Sequence, residues 1–152
     1  IDILINLHLV IHLWHNDFNF LTRIKSNIEN PINRMEVIHL GRSEDWIVYE
    51  DIEFVDLELS NRHKNYNRFF WIPESCMISE NQSNNLAYKA IEGVVYQLPT
   101  FSYIKDYEKT FNKNGLRNFT YINVKLNDGI IKDIDYLYDV SINTPVFLAN
   151  LN

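Results

Sequence analysis

The sequence predicts an α+β fold, and three observations near its start support this prediction. Apolar and polar residues alternate over residues 3–13, which is typical of a strand with one buried face. An apolar stripe at helical spacing follows over residues 18–28, and residues 46–60 again have a strand-like pattern. A strand–helix–strand start, in a chain whose predicted strands outnumber its helices, indicates an α+β sandwich.

The first two elements have clear local signals. The apolar face of the first strand consists of Ile3, Ile5, Leu7, Leu9, Ile11 and Leu13. Asn16 is the predicted start of the helix, with Asp17 in its first turn, and the Asn30–Pro31 step ends it because the residue before a proline avoids the helical region. The stripe of this helix consists of Phe18, Leu21, Ile24 and Ile28.

The remaining elements are mostly strands. In "WIVYEDIEFVDLELS" the apolar residues move from even to odd positions near Phe54, which predicts a β-bulge there. Residues 60–70 form a polar and basic loop that leads into the short strand "RFFWI", and residues 79–85 predict an exposed loop. Further predicted strands are "GVVYQL", "NFTYINVKL" with its turn signal "NDG", and "PVFLANL", while "KDYEKTFNKNG" predicts a short helix or turn.

Length and composition predict a single domain over residues 1–152. The chain has 46% hydrophobic and 22% charged residues, which is ordinary for a folded protein. Its single cysteine, Cys76, excludes an internal disulfide and a cysteine zinc site, and it fits a reducing cytoplasm as a packed or idle thiol. The apolar start is too short and too polar to span a bilayer, so no membrane or targeting segment is predicted.

Overall charge argues against nucleic-acid binding by the chain as a whole. The formal net charge is −6 and the sequence pI is about 5.3, whereas nucleic-acid-binding domains usually carry a basic footprint. Basic groups can still cluster locally in an acidic chain. The sequence begins at Ile1, and we expect it to be a piece of a larger subunit whose remainder carries further basic groups.

The stretch "HLGRSEDW" places glycine and charged residues between two predicted elements. Gly41 predicts a tight turn, and Ser43 predicts a local cap. Arg42 is a candidate contact to RNA or to a neighbouring subunit. The alternative for Arg42 is a structural salt bridge to Glu44, Asp45 or another carboxylate.

The loop "NRHKNYNRFFW" is the strongest local signal for nucleic-acid binding. Its candidate phosphate contacts are Arg62, His63, Lys64 and Arg68. Its candidate stacking surfaces are Tyr66, Phe69, Phe70 and Trp71. The alternative is a basic loop whose aromatic side chains turn into the core. His63, Lys64 and Tyr66 could also supply the acid and base of a metal-free ribonuclease.

Other patterns favour structural roles. His8 and His12 lie about 13 Å apart on a strand, too far for one metal ion, so an exposed sheet face is the preferred interpretation and a ligand-touching platform the alternative. The carboxylates of "YEDIEFVDLE" predict a solvated edge strand rather than a metal site. Lys113 and Arg117 accompany Phe119 and Tyr121, but this stretch does not match the aromatic RNA-binding signature of RRM domains.

The order of these motifs resembles the family-five CRISPR-associated proteins of Cascade complexes, within the RAMP superfamily. "LVIHLWHNDFNFL", the amphipathic helix, "NP" and "LGRSED" follow one another as in that family, and "YNRFFWIP" and "PVFLANL" are also similar, most closely to its type I-B branch. The resemblance spans nearly the whole chain. It implies a ferredoxin-like, RRM-like RAMP fold, of which this sequence is the C-terminal portion without the N-terminal strand and thumb-like hairpin.

The same resemblance implies a function. Family members of this type hold the 5′ handle of the CRISPR RNA without cutting it, beside the large subunit and the backbone subunit, and meet target DNA only indirectly. The implied setting is antiviral defence in the cytoplasm, with no membrane and no cofactor or metal. The alternative is a metal-independent endoribonuclease that processes repeat RNA, as in the type I-C branch. A third possibility is a module that only contacts other proteins.

Overall fold

The computed structural model describes residues 7–30, 32, 46–79, 82–83, 86–104, 109 and 117–150. The chain divides into two compact units, Ile1–Val55 and Asp56–Asn152, and each is described by itself. Helices and antiparallel sheets together confirm the α+β class. The single domain expected over residues 1–152 stays a prediction. No helix in the described ranges is both long and apolar enough to cross a membrane.

Unit 1 is organised by helix α1, Phe18–Glu29, which confirms the predicted helix. Asp17 caps it by accepting a hydrogen bond from the backbone N–H of Asn19 at 2.9 Å, so the cap lies one residue after the predicted Asn16. The Asn30 N–H donates to the Ser26 carbonyl and closes the last turn. The apolar stripe is only partly covered: Leu21, Ile24 and Ile28 are half-buried, and Phe18 packs on Phe54 with ring centroids 4.8 Å apart.

The strand predictions for unit 1 are wrong over the residues described. Residues 7–15 form no regular strand, and apolar side chains of both phases, such as Leu9 and Val10, are exposed. Residues 47–56 are irregular as well, so the bulge expected near Phe54 is not part of a strand. An alternating pattern specifies a strand only where a neighbouring strand pairs with it and a core covers its apolar face.

Unit 2 contains eleven strands and one helix among its described residues. In chain order they are β1 Leu57–Ser60, β2 Lys64–Asn65, β3 Phe70–Pro73, β4 Cys76–Ser79, β5 Gln82–Ser83, α2 Leu86–Ala90, β6 Val94–Ile104, β7 Arg117–Asn127, β8 Ile130–Ile131, β9 Tyr136–Asp139, β10 Thr144–Val146 and β11 Leu148–Ala149. The strands form antiparallel sheets ordered β1-β9-β10, β3-β7-β6 and β11-β4-β5, with β2 paired to β8. The predicted strands before and after residue 100 are thereby confirmed as β6 and β7.

The hairpin of β6 and β7 is the longest paired element. Its register runs from Val94 opposite Leu126 to Ile104 opposite Arg117, with a shift between Pro99 and Phe101. The "NDG" turn after β7 is confirmed, since Gly129 has φ +100°. Lys125 ties β7 to helix α2 by donating to the carbonyl oxygens of Tyr88 and Ile91, at 2.7 and 2.9 Å.

The core of unit 2 is formed mainly by side chains of β3, β4, β8 and β9, with Tyr66 and Ile91 from the connections. Its most completely buried side chains are Ile72, Cys76, Val124, Ile131 and Tyr136. Cys76 is therefore a packed thiol, as predicted, and burial raises its pKa to about 12. Edge strand β1 carries the exposed Glu58, which confirms the solvated edge strand for this part of the acidic segment.

Three local predictions need correction or lie outside the described residues. The loop expected over residues 79–85 contains strand β5, which pairs with β4. The final strand is split into β10 and β11 by Phe147. Of the helix or turn expected over residues 105–115, only Lys109 is described, and it is helical.

Candidate nucleic-acid interface

Residues 60–70, called the basic loop below, are held against the turn that follows β7. Strand β2 pairs with β8, with Lys64 opposite Ile131 and Asn65 opposite Ile130. The Tyr66 N–H then donates to the Gly129 carbonyl at 3.1 Å. The basic loop is therefore positioned by backbone hydrogen bonds to an element more than 60 residues away in sequence.

Gly129 allows the close approach of the two backbones. A Cβ at this position would lie 2.6 Å from the Arg68 carbonyl oxygen, and its φ of +100° is strained for other residues. The Asn127 side chain accepts from the Gly129 N–H at 2.8 Å and stabilises the turn. The glycine of "NDG" thus fixes the backbone of the basic loop at Arg68.

A chain of phenol hydrogen bonds fixes the start of the basic loop. Tyr136 donates to the Arg62 carbonyl at 2.8 Å, and its own oxygen lies 2.8 Å from the Tyr66 hydroxyl. Because the single Tyr136 proton is used on Arg62, Tyr66 is the donor to Tyr136. Burial, this hydrogen bond and the neighbouring phenols together raise the pKa of Tyr66 far above its ordinary value.

Two cations of the basic loop converge on the turn between β9 and β10. Lys64 Nζ donates to Asn143 Oδ1 at 2.8 Å and lies 5.1 Å from the centre of the Tyr66 ring. An Arg68 guanidinium nitrogen donates to Thr144 Oγ1 at 2.6 Å. Asn143 has φ +53°, a backbone conformation that asparagine tolerates better than most residues. Lys64 and Arg68 are therefore bound by two adjacent residues, Asn143 in the turn and Thr144 at the start of β10.

The other predicted cations of the loop are open to solvent. Arg62 and His63 are exposed, and so is most of Arg68, while Lys64 is half-buried. Arg62, His63 and Arg68 are thus accessible to a ligand, whereas Lys64 serves partly as an anchor of the loop. Exposed cations of this kind can bind phosphate oxygens.

The predicted stacking residues divide between the core and the surface. Tyr66 is buried, and Phe70 packs against Phe147 and Tyr66, so the stacking role considered for these two is wrong. Phe69 is 72% exposed and Trp71 is 45% exposed. Alternation along β3 explains the division, because Phe70 and Ile72 face the core whereas Trp71 faces away.

Burial also argues against the ribonuclease alternative, in which His63, Lys64 and Tyr66 supply the acid and the base. His63 is exposed, but Lys64 is bonded to Asn143, and the Tyr66 phenol is a committed donor in the core. A phenol whose pKa is raised by burial does not ionise near neutral pH, so it cannot serve as a general base there.

The histidine and carboxylate patterns of unit 1 form surface contacts. His8 and Glu50 are exposed, and His8 Nδ1 lies 3.2 Å from Glu50 Oε1. Hydrogen bonding with Glu53 and from the Ile52 N–H lowers the pKa of the exposed Asp51. Within the described ranges, no three His, Cys, Asp or Glu side chains are grouped closely enough to hold a metal ion.

The segment "LGRSED", with Gly41, Arg42 and Ser43, lies outside the described residues, as does Lys113. Their roles as turn, candidate RNA contact, cap and basic neighbour stay predictions. Sequence reasoning missed Asn143 and Thr144, the partners of the two converging cations. No local signal could have linked them to residues more than 70 positions earlier.

Comparison of this chain with protein-family models, with curated proteins and with solved structures gives no match.

Proposed function

We propose that this chain is a non-catalytic RNA-binding subunit of a type I Cascade complex that caps the 5′ handle of the CRISPR RNA. The observation that carries the proposal is the basic loop, in which the turn at Asn143 and Thr144 holds Lys64 and Arg68 together beside the exposed Arg62 and His63. The identification with the family-five proteins rests on the order of sequence motifs around "LGRSED" and "YNRFFWIP".

The anchoring of the basic loop supports this role. A loop that is already ordered in the free protein loses less conformational entropy when it binds a ligand. Here the Tyr66 amide is tied to Gly129, the Arg62 carbonyl is tied to Tyr136, and Arg68 is tied to Thr144. Phe69 adds an exposed ring beside these cations, on which an unpaired base can stack.

The absence of catalysis is part of the proposal. A metal-independent ribonuclease needs a proton acceptor and a proton donor on either side of the scissile phosphate. The buried Tyr66 phenol cannot supply one of them, which leaves His63 and Lys64 of the predicted set, and Lys64 is already bonded to Asn143. This arrangement favours retention of RNA over its cleavage.

The finer assignments belong to the same proposal. They are a ferredoxin-like RAMP arrangement of the antiparallel sheets, contacts to the large and backbone subunits, indirect contact with target DNA, and a cytoplasmic setting. The α+β composition of the chain is compatible with that fold. A local group of cations in the basic loop, in a chain whose net charge is −6, also fits a subunit that binds one short RNA segment.

Replacing Arg62, Lys64 and Arg68 with glutamine is expected to weaken binding of a labelled single-stranded repeat RNA by about tenfold or more, because three phosphate contacts are lost. The slope of log affinity against log salt should become shallower by about 2, since each contact to a single strand contributes about 0.7. Fluorescence anisotropy over about 50 to 200 mM salt measures both quantities.

The matched control replaces Arg23, Lys89 and Lys109, which are exposed cations elsewhere, with glutamine. This variant undergoes the same change in net charge, so an equal loss of affinity would point to overall charge and contradict the proposal. Wild-type affinity and slope in the basic-loop variant would remove the loop from the interface.

A further inference from the structure

We propose that the face of β7 that carries Arg117, Phe119 and Tyr121, called the hairpin aromatic row below, is a second RNA contact at which unpaired bases stack. It rests on the proposed function for the class of ligand, but it lies on a different element and uses a different kind of contact. The basic loop would bind phosphates, whereas this row would bind bases.

Strand geometry places the three side chains in line. Alternate residues of a strand point to the same face, so Arg117, Phe119 and Tyr121 share one side of the hairpin. The rings of Phe119 and Tyr121 lie with centroids 6.4 Å apart and tilted by 45°, so neither covers the other. Phe119 is 47% exposed and Tyr121 is 56% exposed, which leaves a ring surface of each available to a ligand.

A β-bulge sets the local twist beside Tyr121. Pro99 pairs with Tyr121 and Phe101 with Thr120, so Thr100 is the extra residue. On the opposite face, the Thr100 hydroxyl lies 2.9 Å from the Thr120 hydroxyl and 3.3 Å from the Thr120 carbonyl oxygen. These contacts hold the bulge in place, and bulges commonly redirect side chains next to binding sites.

The two ends of the hairpin aromatic row carry opposite charges, which suits the binding of a nucleic acid in one direction. Arg117 lies at one end and can meet a phosphate or stack on a base. At the other end, Asn123 donates to Glu74 Oε2 at 2.8 Å and accepts from the Gln97 amide at 3.4 Å. Because the Glu74 carboxylate repels phosphate, we expect the backbone of an RNA stacked on Phe119 and Tyr121 to run toward Arg117.

The hairpin aromatic row has the side-chain types that bind unpaired bases. Both faces of the hairpin also carry aliphatic side chains: Val95 and Ile104 lie on the face of the row, and Leu98 and Ile122 lie on the opposite face together with Tyr103. The row itself places a cation in line with two exposed aromatic rings and an amide. Stacking of bases on aromatic rings tolerates any sequence and needs little more than exposed rings and a cation.

Replacing both Phe119 and Tyr121 with leucine is expected to weaken binding of single-stranded repeat RNA by about tenfold to a hundredfold, since two stacked bases are lost. The salt slope should be unchanged, because no phosphate contact is removed. A second experiment uses a series of RNAs in which the base is removed at one position after another. Wild-type protein should lose affinity when the stacked bases are removed, and the double variant should be insensitive to their removal.

Tyr103→Leu is the matched control, because Tyr103 is also 56% exposed but lies on the opposite face of the same hairpin. An equal loss of affinity in Tyr103→Leu would overturn the proposal, as would a double variant that remains sensitive to missing bases. Wild-type binding by the double variant, together with a loss in the basic-loop variant, would overturn the row and leave the proposed function standing. If wild-type protein binds no RNA, both fail.

Discussion

Tyr136→Ala is expected to lower the free energy of unfolding of unit 2 by about 3–5 kcal/mol, the usual cost of truncating a large aromatic core residue. Tyr136 is almost fully buried and its ring contacts those of Tyr66, Tyr138 and Phe147. Its removal would leave a cavity and would also leave the Arg62 carbonyl without its donor. Urea denaturation, with amide exchange in β3 as a readout of unit 2 alone, measures the loss.

Two conservative variants separate the hydroxyl from the ring. Tyr136→Phe would leave the buried Tyr66 hydroxyl and the Arg62 carbonyl unpaired, at a cost of about 1–3 kcal/mol. Tyr66→Phe removes a donor but leaves the Tyr136–Arg62 bond intact, so it should cost only about 0.5–1.5 kcal/mol. Equal effects of the two substitutions would contradict the direction assigned to the hydrogen-bond chain.

Alkaline conditions are expected to destabilise the folded protein through Cys76. Burial raises the pKa of the Cys76 thiol from 9.0 to about 12, so between these values the unfolded chain loses a proton that the folded chain keeps. The free energy of unfolding should therefore be unaffected by this group below pH 9 and fall by about 1.4 kcal/mol per pH unit above it, about 4 kcal/mol in total. Denaturation curves from pH 8 to pH 11 measure the fall.

Cys76→Ala is the control for this pH dependence. It lacks the thiol but retains the buried Tyr66, so any contribution of the phenol is common to both proteins. The stability difference between wild type and variant should shift by about 3 kcal/mol between pH 8 and pH 11. If the stability difference between the two proteins stayed constant from pH 8 to pH 11, the thiol would be ionised to the same extent in the folded and unfolded chains, and the prediction would be wrong.

Local patterns predicted the elements whose stability is largely local or whose signals are strong. Helix α1 followed from its cap and apolar stripe, and β7 followed from its alternation and the glycine of "NDG". Cys76 was predicted as a packed thiol because a lone cysteine in a folded chain is usually buried. These predictions did not require knowledge of which elements meet.

Predictions failed where tertiary contacts decide the structure. Residues 7–13 alternate as a strand should, yet no described strand pairs with them and their apolar side chains are exposed. In the basic loop, composition could not tell Tyr66 from Phe69, and only the register of β2 against β8 turns the first into the core. The contacts of Lys64 and Arg68 with Asn143 and Thr144 could not be predicted either, because these partners are distant in sequence.

The fate of a bound RNA tests the proposed function most directly. The chain would be incubated with labelled repeat RNA in chelator, and both the retention and the length of the RNA would be followed. We expect intact RNA to be retained by the wild-type chain and released by the Arg62, Lys64 and Arg68 variant. A defined shorter product, formed by wild type and lost on His63→Ala, would instead identify a metal-independent ribonuclease and contradict the non-catalytic role.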